Sequence, residues 1–105
     1  MANIDAERDA AQHAERAIVN LKKSRAASAR IIETLRIASR IATRASAKPT
    51  FSSGPLKAAR AEIPLALGDL VNALAANDLN DQKIDRALRA VQDWKNGLIA
   101  QESAN

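Results

Sequence analysis

A chain of 105 residues with 16 Lys and Arg against 12 Asp and Glu has a net charge of +4 and room for one domain. One Phe, one Trp and no Tyr leave bulky side chains scarce within a hydrophobic fraction of 47%, so alanine must build much of a thin core. The absence of cysteine rules out a disulfide framework, a thiolate zinc site and a cysteine nucleophile.

Alanine has the highest helix propensity, and with only three Gly and three Pro in the chain the composition points to a single all-α domain over residues 1–105. Residues 3–48 contain neither Gly nor Pro, and Ile4, Ile18, Leu21, Ile31, Leu35 and Ile41 recur among alanines at helical spacing. This pattern predicts one long, basic, amphipathic helix. Asn3 suits its N-cap, Asp5, Glu7 and Asp9 suit the positive end of its dipole, and Lys48 before Pro49 closes it. Unbroken, its roughly 45 residues at about 1.5 Å each would reach ~67 Å, about twice the diameter of a compact chain of this length. Such a helix either breaks within residues 22–30, where no large apolar side chain occurs, or belongs to a bundle completed by oligomerisation. The window holds no stop signal, which favours the continuous helix and argues against a compact monomer.

Residues 49–55, with Pro49, Phe51, Gly54 and Pro55, read as a loop, and Pro55 suits the first turn of a second helix over about 55–76. Leu56, Ile63, Leu67, Leu70 and Leu74 give it an apolar stripe, while Pro64 and Gly68 predict a kink near residue 63. Residues 77–81 form a turn rich in capping side chains, and Asp78 or Asn80 can cap a last helix over about 80–103. Ile84, Leu88, Val91, Trp94 and Leu98 mark its apolar face, opposite Asp85, Arg86, Arg89, Asp93 and Asn96. The short turn predicts that these last two helices pair as an antiparallel hairpin.

Nothing in the chain recommends an active site. His13 lies four residues after Asp9 on a helix, but two ligands do not make a specific metal site, and a surface position is the plainer account. Asp81 and Asp85 resemble a carboxylate pair, yet acids in a first helical turn ordinarily complement the dipole. There is no glycine-rich phosphate loop or nucleophile elbow, and Gly54, Gly68 and Gly97 stand alone. No catalytic residue, metal, cofactor or small-molecule substrate is therefore expected. Trp94 and Leu98 are candidates for an interface between the last helix and its neighbour or another subunit.

Charge is the unusual feature. Residues 1–21 have a net charge of −2, residues 22–60 of +9 and residues 61–105 of −3. On a continuous helix Lys22, Arg25, Arg36, Arg40 and Arg44 fall within about 120° of one another, with Ala27, Ile31, Leu35, Ala38, Ile41 and Ala45 opposite. Arginines at i, i+4 and i+8 repel one another, so local stability would not select them. A solvated face, or one that meets the acidic segments of another copy, is the plainer account, with nucleic acid beside it. A membrane ranks last because the apolar face lacks aromatic anchors, and the scarcity of aromatics also excludes single-strand reading by stacking. The sequence thus predicts a soluble, cytoplasmic or virion-borne protein without catalytic activity. It would be a helical subunit of a larger assembly, such as a phage particle or nucleoprotein complex, whose basic face meets nucleic acid or an acidic neighbour. A free-standing, sequence-independent nucleic-acid-binding protein is the alternative.

Overall fold

A computed structural model describes residues 2–26, 28–47 and 54–103, with side chains from residue 5 to residue 101 of those ranges. The described residues form four helices and no strand: α1 (Ala2–Ser24), α2 (Ala29–Ala47), α3 (Gly54–Ala75) and α4 (Asp81–Ser103). Each helix packs on the next in sequence and α4 returns to α1, which leaves α1 and α3 on one diagonal and α2 and α4 on the other.

The single long helix predicted over residues 3–48 is instead two. Arg25 takes a left-handed backbone with φ of 59° and donates its N–H to the Leu21 carbonyl at 2.8 Å, which ends α1. Ser28 then caps α2, its hydroxyl accepting the Ile31 N–H at 3.2 Å. The turn brings the apolar faces of the two halves together, so that Ala14, Ile18 and Leu21 share a core with Leu35, Ala38 and Ala42. Burial of both faces within one chain offsets the strain at a left-handed arginine, which is on the order of 1–2 kcal/mol. The Cα radius of gyration is 13.3 Å, against about 13 Å for a compact chain of this length. The length mismatch that suggested completion by other copies is therefore absent.

The remaining elements follow their local signals. α3 ends in a left-handed residue: Asn77, with φ of 56°, sits just past the helix, the Asp78 N–H donates to the Ala73 carbonyl at 2.8 Å, and the Asn77 N–H donates to the Leu74 carbonyl at 3.3 Å. Asn80, rather than Asp78, caps α4 by accepting the Lys83 N–H at 3.0 Å. α3 runs without interruption through Pro64. α1 already includes Asn3, so that residue is not the cap. Lys48, Pro49 and Phe51 lie outside the described residues.

The core is built largely of alanine, including Ala11, Ala14, Ala38, Ala42 and Ala87 at 0% exposure, closed by Ile18, Leu21, Leu35, Ile63, Leu70, Ile84 and Trp94. Small side chains let the helices approach closely. Gly97 marks a close approach of α4 to α3: a Cβ there would lie 3.3 Å from the Leu56 Cα.

Candidate functional site

α2 holds Arg30, Arg36, Arg40 and Arg44 against Glu33, a net of +3. α1, α3 and α4 each hold equal numbers of acidic and basic residues. The excess positive charge of the helical bundle is thus confined to one helix. Arg36, Arg40 and Arg44 are exposed and advance about 6 Å along the helix and about 40° around it at each step of four residues. Among the described residues none of the four α2 guanidinium groups has a hydrogen-bond or ion-pair partner. Arg16, Lys23, Lys57 and Arg89 are also unpaired, but they are scattered over the other three helices.

Lys22 and Arg25, assigned with these arginines to one continuous face, do not join them. The break after α1 turns both toward α4, where Lys22 Nζ lies 2.8 Å from Asp85 and Arg25 pairs with Asp81. The hydrogen bond from Lys22 to Asp85 and the charge of that carboxylate raise the Lys22 pKa above the ordinary lysine value, with a smaller contribution from Asp81. Asp81 and Asp85 are accordingly partners of cations in their own chain. His13 is exposed and borders a groove of about 340 Å³ between α1 and α2, beside Arg16, Asn20, Arg30 and Ile37. Among the described residues no group of three His, Cys, Asp or Glu side chains is placed to hold a metal.

Trp94 and Leu98 are both 0% exposed. Of the two places expected for them, against a neighbouring helix or against another subunit, both side chains occupy the core shared by the helices of this chain. Glu7, expected only to complement the dipole of the first helix, is 2% exposed, and Arg60, counted only in the basic segment, is 7% exposed. Arg60 reaches across the α1–α3 diagonal and donates from Nε and Nη2 to the two Glu7 carboxylate oxygens, each at 2.7 Å. Trp94 Nε1–H donates to Glu7 Oε2 at 2.7 Å. Three charge-assisted bonds satisfy this carboxylate and tie α1, α3 and α4 together where water is excluded. The group has no room for a ligand and serves the fold. Its one sequence signal is a lone arginine among apolar residues on the buried side of α3.

Along α2 and α3, by contrast, an open groove of about 510 Å³ is lined by Leu35, Arg36, Ser39, Arg40, Thr43, Arg44, Leu67, Gly68, Val71 and Asn72. Apolar side chains supply part of its lining, and three unpaired arginines stand on the α2 side. Comparison of the chain with known families, curated proteins and solved structures yields no match, so the geometry of this face carries the functional assignment.

Proposed function

We propose that the protein is a non-catalytic assembly module, a helical subunit of a larger complex that attaches to an anionic partner through the arginine face of α2. One observation carries this reading: the charge excess lies on a single helix whose arginines are unpaired, while Lys22, Arg25, Lys83, Arg86 and Lys95 are matched to acids. Unpaired arginines four residues apart repel one another by a few tenths of a kcal/mol per pair, a cost that an anionic partner removes.

A second copy of the chain offers little to that face. Among the described carboxylates, Asp9, Glu33 and Asp93 alone lack a cationic partner, and they lie on three different helices. The partner is therefore another molecule, either an acidic neighbouring subunit or nucleic acid. A free-standing nucleic-acid-binding protein is the second reading, favoured by the unpaired guanidinium groups and limited to sequence-independent phosphate contact by the lack of aromatic side chains for stacking. Such a face contacts phosphates and carries little base information.

The test is a salt titration of fluorescence anisotropy on two unrelated DNA duplexes, with wild type beside the Arg36→Ala, Arg40→Ala, Arg44→Ala triple variant. If nucleic acid is the partner, both duplexes bind alike and the variant's slope of log affinity against log salt is flatter by roughly 2.7, at about 0.9 per phosphate contact. Absence of duplex binding at low salt assigns the face to an acidic protein. Duplex binding with the wild-type slope retained in the triple variant removes these arginines from the interface.

A further inference from the structure

We infer that the groove between α2 and α3 is the seat of an acidic amphipathic helix from a partner protein, with carboxylates on Arg36, Arg40 and Arg44 and apolar side chains against half-buried Val71 and the methylene stems of the arginines. The inference rests on the reading that α2 holds an anionic partner, and it names that partner.

Three observations bring it about. The first is charge complementarity with a repeat: the three guanidinium groups recur about every 6 Å along α2, and carboxylates four residues apart on a helix laid along the groove recur at the same interval. Arginine and carboxylate also match as bidentate partners. The second is the apolar lining. Leu35 and Leu67 are its buried floor, at 0% and 1% exposure, and half-buried Val71 with the arginine methylenes supplies the apolar surface in reach. A phosphate backbone gains nothing from that surface, whereas the apolar face of an amphipathic helix is what such a groove recognises.

The third is Gly68. Glycine is unfavourable within a helix, and nothing inside the chain calls for it here. Its φ is not positive, and a Cβ built on it meets no atom within 4 Å. Gly97 differs, because a side chain there would press on Leu56 at 3.2 Å. Gly68 has no intramolecular packing role, but its missing side chain keeps the groove open beside the arginines and lets another backbone approach α3. Ser39 and Asn72 stand alongside without side-chain hydrogen bonds among the described residues, available to polar groups on the incoming helix.

The experiment uses the full chain and three fluorescent probes. One is an amphipathic peptide of roughly 20 residues with Glu at every fourth position on one flank and Leu on the other. The second has Lys in place of Glu, and the third is a DNA duplex. The expected result is that the acidic peptide binds and the Lys peptide does not. The Arg36→Ala, Arg40→Ala, Arg44→Ala variant should lose about tenfold in affinity. Gly68→Leu, which fills the groove from an unobstructed position, should lose at least as much while its circular dichroism and thermal melting stay at or above those of wild type. Ile37→Ser, on the α1 side of α2, should bind like wild type. Arginine-dependent binding that Gly68→Leu leaves intact, or that Ile37→Ser abolishes, overturns the groove assignment and leaves the reading of α2 standing. Arginine-dependent binding of the duplex alone does the same in favour of nucleic acid. If neither the acidic peptide nor the duplex binds, or neither depends on the arginines, the reading of α2 itself falls.

Discussion

Glu7 shows how much one side chain decides in a core this thin. Its carboxylate is buried and accepts from Arg60 and Trp94, so removing it strands a guanidinium and an indole N–H away from water. Glu7→Ala should lower unfolding stability by about 3–5 kcal/mol, a large share of what a domain of this size possesses. Urea denaturation followed by circular dichroism reads the loss, and a change under about 1 kcal/mol would show that the ion pair is dispensable. Gly68 and Gly97 form the complementary pair. Gly68→Ala meets no atom and should gain about 0.5–1 kcal/mol from helix propensity. Gly97→Ala forfeits that gain, because its Cβ presses on the Leu56 backbone. Equal melting temperatures for the two variants would count against the packing described between α3 and α4. Lys22 supplies a pH-dependent term. Its pKa is raised by Asp85, so the pair's contribution is fully present below the ordinary lysine value and fades as pH rises through the raised one. Wild type should therefore lose more stability than Lys22→Met across the alkaline range, and parallel urea midpoints between pH 9 and pH 12 would disprove it.

At the scale of elements, the decisive event is the turn between α1 and α2. Four residues separate Ser24 from Ala29, and Ser28 provides the first bond of the new helix. Ser28→Ala should cost about 0.5–2 kcal/mol, and Ser28→Gly only a few tenths. A thermal melt in which the two variants are indistinguishable would show that the cap does not hold the turn. The same turn separates the five cations that a continuous helix would have placed on one face. Lys22 and Arg25 are spent on α4, and Arg36, Arg40 and Arg44 are left on α2.

For the whole molecule, the extents of 41 × 20 × 19 Å fit a bundle whose apolar faces are satisfied within one chain. Among the described residues, Ile37, Leu65 and Ile99 are the large hydrophobic side chains left exposed, at 42%, 60% and 48%, and each belongs to a different helix. In the absence of the proposed partner the protein is expected to sediment as a single chain of 11.2 kDa. A stable oligomer in sedimentation velocity at micromolar concentration would restore an interface between copies.

The helical class, the outward and inward faces of α4 and the capped turn between α3 and α4 were legible in the sequence, because propensity, capping and 3.6-residue periodicity act over a few neighbouring residues. The concentration of positive charge was legible too, being a matter of composition along the chain. The break at residues 25–28 was not, since no Gly or Pro marks it and the strain at Arg25 is repaid by burial that exists only once α1 and α2 face each other. Nor was the division of the basic residues, because Lys22 and Arg25 meet acids 63 and 56 positions away. The burial of Glu7 with Arg60 and Trp94, across separations of 53 and 87 residues, was equally hidden. Local rules select helices; only the packing of all four decided which charges are paired, which are buried and which remain unpaired on α2.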